Sequence, residues 1–265
     1  MKLLKGDEFV MNEESDIPKL CFDASYYDEK YFANPGGKKF RRPDGTIDTF
    51  GYRNPQAEWL GCAPIATTWK AMFNPRNMLD VGCGRGTFLT YARDAGIEAV
   101  GFDFSDFGVG RPYVRCSSGW IFKHDATQRY PYVDNHFDFV TILDLMEHLY
   151  TDDIDKVLSE VHRVCDRYVF FLIATVGGGS GVNTLIHDSG YILKRGEPVP
   201  VEYEGMAAAG HVTVCTREWW EQKLLDKEKG YKWVIRRDLE EEFRRRVPAD
   251  VLANWKTIII LEKVK

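Results

Sequence analysis

Short apolar runs alternate with amphipathic stretches along most of the chain. Met78–Val81, Glu98–Phe102, Trp120–Lys123, Phe137–Leu143 and Tyr168–Ile173 read as strands, and most of them run into a glycine or an aspartate. Their apolar positions are continuous rather than alternating, as in strands buried on both faces of a parallel sheet. Thr87–Ala95 predicts a helix stopped by Gly96. Asp153–Cys165 predicts another, because Ile154, Val157, Leu158, Val161 and Val164 recur at helical spacing. Thr151 is its expected cap, and Asp152 and Asp153 suit the positive first turn. A helix near Arg217–Leu225, a strand at Tyr231–Ile235, a charged segment at Asp238–Val247 and a strand at Thr257–Leu261 follow. This alternation predicts a doubly wound α/β domain with helices on both faces of a parallel sheet, and ligands at the carboxyl ends of its strands.

Two stretches break the rhythm. Residues 1–55 are turn-rich, with Pro18, Asn34-Pro35-Gly36-Gly37 and Pro43-Asp44-Gly45, and read as an N-terminal cap segment. An apolar-periodic stretch from Pro55 to Met72 then leads into a core domain over 56–265. Residues 176–210 carry Gly177-Gly178-Gly179-Ser180-Gly181 and a loose-looking Ala207-Ala208-Ala209-Gly210, and read as a lid insertion.

Composition narrows the class. Hydrophobic residues are 44% and charged residues 28%, which suits a globular protein rather than a disordered one. No apolar run approaches the roughly 18 residues of a membrane span. The start, Met1-Lys2-Leu3-Leu4-Lys5-Gly6-Asp7, lacks the apolar core of a signal peptide, so a cytoplasmic location is expected. The six cysteines are scattered and form no paired zinc motif. A net charge of −5 counts against a broad nucleic-acid surface but not against a local anion site. The oligomeric state is left open.

The chemistry centres on Asp80-Val81-Gly82-Cys83-Gly84-Arg85-Gly86-Thr87, where a strand meets a glycine-rich turn and then a helix. Such a turn lets a ligand approach the backbone, and the helix start offers N–H groups to a carboxylate or phosphate. Thr87 stands where the dinucleotide fingerprint needs glycine, which disfavours a nicotinamide-dependent reductase. Asp103 lies about 20 residues beyond the first glycine, near the spacing of an acid that binds ribose hydroxyls. Asp125 ends the third strand, where a carboxylate could accept a bond from an adenine amino group, and Leu143-Asp144 end the fourth.

Asp80–Gly86, Asp103, Asp125 and Phe137–Asp144 together resemble the class I S-adenosylmethionine-dependent methyltransferases, most closely over residues 75–175. The resemblance implies a seven-stranded, mostly parallel sheet with an antiparallel last strand. It implies S-adenosylmethionine as cofactor, with Asp80, Gly82, Cys83, Gly84, Gly86 and Leu143 around the methionine part, Asp103 at the ribose, and Asp125 at the adenine between Phe104 and Ala126. The turn after the fourth strand carries neither the Pro-Pro-Tyr signature of amino-methylating DNA enzymes nor the Pro-Cys pair of cytosine C5 enzymes.

On the acceptor side, Asp144, Glu147 and His148 would share one helical face if a turn begins directly after the fourth strand. With His211 they form a candidate divalent-metal set (Mg or Mn). This arrangement resembles the metal-assisted O-methyltransferases, with Asp144 in place of a glutamate. In the alternatives, His148, Glu147 and His211 act directly as acid–base or acceptor-orienting groups, or His148 simply caps and packs. Tyr26, Tyr27 and Tyr31 resemble the tyrosine-rich leader of sugar and small-molecule methyltransferases, and either close over the cofactor or pack as a cap. Lys38-Lys39-Phe40-Arg41-Arg42 is either an anion clamp or a solvated loop, and Arg244–Arg246 either a phosphate clamp or a solvated helix face. The leading expectation is O-methylation of a hydroxyl on a small molecule or sugar. RNA (a terminal ribose) or a protein side chain is the runner-up acceptor, and a non-catalytic cofactor-binding module is the reading of another class.

Overall fold

The computed structural model describes residues 22–32, 37–50, 61–177, 189–252 and 257–264. Pro18, Asn34-Pro35-Gly36, the first residues of the helix expected from Pro55, Cys21, and the glycines at 178, 179 and 181 lie outside the described residues.

The strands in chain order are β1 (Lys38–Arg41), β2 (Ile47–Phe50), β3 (Asn77–Val81), β4 (Glu98–Asp103), β5 (Ile121–Lys123), β6 (Phe137–Leu143), β7 (Cys165–Ile173), β8 (Tyr191–Ile192), β9 (Thr213–Val214), β10 (Trp233–Ile235) and β11 (Thr257–Lys263). Seven of them form one sheet in the order β10-β11-β7-β6-β3-β4-β5. The β5, β4, β3, β6 and β7 pairings are parallel, whereas β11 runs antiparallel to both β7 and β10. The expected doubly wound sheet with an antiparallel last strand is therefore present. Chain order reverses between β3 and β6, which opens a crevice at their carboxyl ends.

Side-chain alternation divides the core in two. Leu79, Val81, Val140, Ile142, Val169 and Phe171 face one way and pack on Ile154, Val157, Leu158 and Val161 of one helix and Trp220 and Leu224 of another. Met78, Phe139, Phe170, Ile258 and Ile260 face the other way, onto Ile65, Trp69, Phe73, Leu89 and Phe243. The helices that carry these residues are Cys62–Phe73, Thr87–Asp94, Thr151–Val164, Arg217–Leu224 and Arg237–Arg246. The helix Thr151–Val164 departs from expectation at its start. Tyr150 occupies the cap position with no side-chain cap bond, and Thr151 is already helical.

Among the described residues, parts of the cap and of the expected lid form regular, packed structure. Lys38–Arg41 and Ile47–Phe50 form a two-stranded hairpin closed by a turn at Gly45. β8 pairs with β9, and Ala207, Ala208 and Ala209 are at most 2% exposed rather than loose. The physical reason is contact with the cap. The Tyr26 and Tyr31 hydroxyls donate to the Ala208 and Ala209 carbonyls at 2.9 and 3.0 Å, an approach that small side chains permit. Phe22, Tyr26, Tyr27 and Tyr31 then share an apolar cluster with Tyr191, Leu193 and Val212.

Candidate functional site

The glycine turn is built by β3 and β4 together. The N–H groups of Gly82 and Cys83 both donate to the Phe102 carbonyl at 3.0 Å, and Gly86 N–H donates to Cys83 O at 2.9 Å. Gly86 has φ 75°, and a Cβ there would stand 2.5 Å from Cys116 Sγ, so both backbone and space require glycine. The helix Thr87–Asp94 starts directly after it, with its first N–H groups turned toward the crevice end of the sheet.

Asp103 holds the turn in place. Its carboxylate accepts from Gly84 N–H at 2.9 Å and from Ser105 N–H at 2.8 Å. Burial pushes its pKa up, against the backbone bonds from Ser105 and Gly84 that lower it. Asp80 sits beneath the turn, 2% exposed, and accepts from Thr141 Oγ1 at 2.7 Å. Burial raises its pKa to about 7; the Thr141 bond opposes the shift and the Asp103 charge adds to it. Asp125 lies on the exposed loop after β5, where Oδ1 accepts from both Thr127 N–H and Thr127 Oγ1 at 2.8 Å.

These residues surround one cavity of about 1270 Å³. Asp80, Gly82, Cys83, Gly84, Asp103, Phe104, Asp125, Ala126 and Leu143 all line it, and Gly86 supports the turn from behind. The volume exceeds the roughly 300–1,000 Å³ of a typical single-ligand pocket, which leaves room for two molecules side by side. Phe22, Tyr27, Tyr31, Leu145, His148 and Tyr150 line the same cavity.

Glu147, His148 and His211 bring ligand-type atoms within 4.8 Å of one another, and of the three only His148 lines the cavity. Glu147 is fully buried, and its Oε1 accepts from Ala174 N–H at 3.1 Å and lies 4.0 Å from His211 Nε2. The His211 and His148 rings meet edge to face at 4.9 Å. Asp144 does not join them, contrary to the expected shared face. The chain turns through a left-handed φ of 51° at Asp144, whose N–H is held by the Leu172 carbonyl, and the helical turn starts only at Met146. Asp144 remains exposed at the cavity.

The basic segments do not serve this site. Lys38 pairs with Asp28 at 2.9 Å and lies over the Tyr26 ring, Arg42 pairs with Asp48, and none of Lys38–Arg42 lines the cavity. Of the two readings of this segment, these pairings fit the solvated loop, with Lys38 and Arg42 held by acids of the cap. Arg245 and Arg246 both pair with Glu242 on their own helix, while Glu240 turns inward to Arg217. Trp220 is core, as its apolar surroundings dictate.

Sequence reasoning missed three parts of the site. The Tyr27 hydroxyl stands 3.2 Å from His148 Nδ1. Ser105 Oγ donates to the Tyr27 carbonyl at 2.5 Å. Gly210, at φ 87°, lies so close that a Cβ would be 2.6 Å from His148 Nδ1. A glycine immediately before His211 was the one local signal. At the cavity mouth Arg195 stacks over Tyr150, 4.3 Å from its centroid, and pairs with Asp153, which also holds Lys156.

Residues 79–173 match the family model of the methyltransferase domain. The norajmaline N-methyltransferase of Rauvolfia serpentina is 31% identical over 101 residues, covering 34% of this chain and 32% of that enzyme. The demethylmenaquinone methyltransferase of Bacteroides fragilis is 30% identical over 106 residues, covering 37% of this chain and 42% of that enzyme. The chain thus matches less than half the length of these curated relatives. Among solved structures, a Pyrococcus horikoshii OT3 protein is 17% identical with a TM-score of 0.49, over 74% of this chain and 85% of its own. The 1,6-didemethyltoxoflavin-N1-methyltransferase of Burkholderia thailandensis is 15% identical with a TM-score of 0.48, over 78% and 80%. Among the described residues, no helix is long and apolar enough to cross a membrane.

Proposed function

We propose that this chain, which carries a class I S-adenosylmethionine-dependent methyltransferase domain over residues 79–173, moves a methyl group to a hydroxyl of a small molecule or sugar. One observation carries the reading. The glycine turn, Asp103 and Asp125 line the same cavity as the aromatic cap and His148.

S-adenosylmethionine supplies a methyl group already activated on a sulfonium. The turn at Gly82, Cys83, Gly84 and Gly86 and the start of the following helix receive its amino-acid end, beside Leu143 and above Asp80. Asp103 receives the ribose hydroxyls, and Asp125 the adenine, between Phe104 and Ala126. The protein's main task is alignment, which can supply roughly 7–11 kcal/mol of barrier. The aromatic cap excludes water from the acceptor. His148 takes the hydroxyl proton, backed by His211 and the buried Glu147.

We read Glu147, His148 and His211 as acid–base groups rather than as a Mg or Mn site. Without Asp144 the set falls to three donors, two of them imidazoles, whereas Mg demands oxygen ligands. The pairing of Lys38 and Arg42 with acids of the cap weighs against RNA as acceptor. The open, lined cavity weighs against a non-catalytic module.

The test is incubation with methyl-labelled S-adenosylmethionine and an extract of native cells, followed by fractionation. Label in small molecules or glycans is expected. Label in RNA or protein overturns the acceptor class, and no label in any fraction overturns catalysis.

A further inference from the structure

Three tyrosines of the cap reach the segment 207–211 region, and they do different things there. Tyr26 and Tyr31 donate to backbone carbonyls, of Ala208 and Ala209. The Tyr27 hydroxyl goes instead to a side chain on the cavity wall, Nδ1 of His148, at 3.2 Å. Gly210 closes over this pair. A Cβ on it would stand 2.6 Å from His148 Nδ1 and 2.8 Å from the Tyr27 oxygen, so only glycine fits beside that contact.

The other end of Tyr27 is tied to the cofactor side. Its carbonyl accepts from Ser105 Oγ at 2.5 Å, and Ser105 N–H donates to Asp103 Oδ1 at 2.8 Å. Ser105 is fully buried and also accepts from Gly108 N–H at 2.9 Å, so it cannot drift. The Tyr27 ring is wedged between Tyr31, at 4.8 Å, and Phe104, at 5.2 Å. A continuous set of contacts therefore runs from the proposed ribose acid to the proposed base.

We propose that Tyr27 is a positioning residue that fixes the tautomer of His148: Nδ1–H donates to the Tyr27 hydroxyl oxygen, and Nε2 is left as the basic nitrogen. A neutral imidazole carries one proton, so a base that accepts at Nε2 holds its own on Nδ1; the Tyr27 hydroxyl, which can donate or accept, then takes the acceptor role and turns its own proton to the cavity that it lines. The inference rests on the methyl-transfer reading above. In that reaction the acceptor oxygen forms a bond to the methyl carbon as the carbon–sulfur bond breaks. The sulfur keeps the bonding pair and becomes a neutral thioether, and the hydroxyl proton passes to Nε2. The imidazolium so formed keeps its Nδ1–H on Tyr27. Through Ser105, the same residue couples the base to the loop that receives the cofactor.

The experiment is nitrogen-15 NMR of histidine-labelled full-length protein with and without S-adenosylhomocysteine, the His148 signals being identified by their loss in His148→Gln. The parent is expected to show the Nδ1–H tautomer. Tyr27→Phe, which keeps the ring and removes only the oxygen, is expected to shift His148 toward the Nε2–H form. Ser105→Ala, which keeps the hydroxyl but releases the backbone, is expected to give a mixture, and serves if Tyr27→Phe does not fold. An Nε2–H parent, or a tautomer unchanged in both variants, overturns the proposal. Calorimetric titration of the parent with S-adenosylhomocysteine reads the underlying function separately, because absent binding overturns that reading whatever the tautomer.

Discussion

Asp103 accepts a hydrogen bond from the backbone of Gly84 at 2.9 Å, so the acid proposed for the ribose also shapes the turn proposed for the methionine part. The two halves of the cofactor site are therefore not independent. Asp103→Ala is expected to abolish measurable S-adenosylhomocysteine binding, because it removes a charged acceptor and releases the turn together. Asp103→Asn keeps the shape and loses the charge. Bonds to charged groups contribute about 1.5–3 kcal/mol, so a loss of roughly 10- to 150-fold is expected. Calorimetry on both variants decides, and binding equal to the parent's in Asp103→Ala removes the ribose assignment.

Gly210→Ala tests the cradle around His148. The position has φ 87°, and the added methyl meets His148 Nδ1 and the Tyr27 oxygen. Strain and overlap at such sites cost on the order of 1–3 kcal/mol each. The expected result is a clear fall in melting temperature. Ala209→Gly, one position earlier, carries no such overlap and gauges the ordinary effect of a change in this segment. A Gly210→Ala protein as stable as its parent would mean that the segment shifts freely, against the packing of Ala207–Ala209.

The legible parts of this molecule were local in sequence. The turn Gly82–Gly86 and the acids Asp80, Asp103 and Asp125 sit at strand ends, so the strand pattern located them. Asp144 was misplaced because a single left-handed residue breaks a helical face, and its side chain gives no sign of that backbone state. Tyr27 and His148 are 121 positions apart, and only the packed cap brings them together. Ala207–Ala209 looked loose because small residues accompany flexibility. Here they are small because tyrosine hydroxyls must reach the backbone. The hairpin of Lys38–Arg41 and Ile47–Phe50 was hidden by its short strands and charged sequence.

Asp80 predicts a pH dependence of stability. Burial raises its carboxyl to about 7, with the Asp103 charge contributing and the Thr141 bond opposing. The folded chain thus holds a proton that the unfolded chain releases in the ordinary carboxylate range. The contribution of Asp80 is most favourable in acid and is lost as the pH rises through about 7. Asp80→Asn removes this titration and keeps an acceptor for the Thr141 hydroxyl. The melting temperature of the parent relative to Asp80→Asn should rise between pH 8 and pH 5, both values spanning the raised pKa of about 7. A difference that stays flat over that range contradicts it.

β11 extends beyond its partner β10, whose pairing covers only Leu261–Lys263. Side chains complete the buried edge that β10 leaves unpaired. Arg217 donates to Ile258 O at 2.9 Å, and Glu240 accepts from Ile260 N–H at 3.2 Å, while the two pair with each other at 2.7 Å. Breaking a buried pair costs about 3–5 kcal/mol, and the partial exposure of Arg217 reduces this to roughly 2–3 kcal/mol. Glu240→Ala should lower the urea midpoint accordingly, and Arg217→Ala together with Glu240→Ala should cost less than the sum of the two. Strict additivity would show that the pair does not act as a unit.

The acid–base reading of Glu147, His148 and His211 makes a prediction about chelation. Two contacts already occupy this group: Glu147 Oε1 accepts from Ala174 N–H, and His148 Nδ1 faces Tyr27. An ion would find three donors without Asp144, two of them imidazoles. Imidazole-rich sets favour Mn or Zn over Mg, so added Mg is the weaker probe. Label transfer into the acceptor fraction should therefore be the same before and after treatment with a chelator, and elemental analysis of the purified protein should find no stoichiometric ion. Activity lost to the chelator and restored by Mn would instead make the three residues ligands. In that case His211→Ala should abolish the restoration, whereas in the acid–base reading it lowers the rate without changing the response to metal.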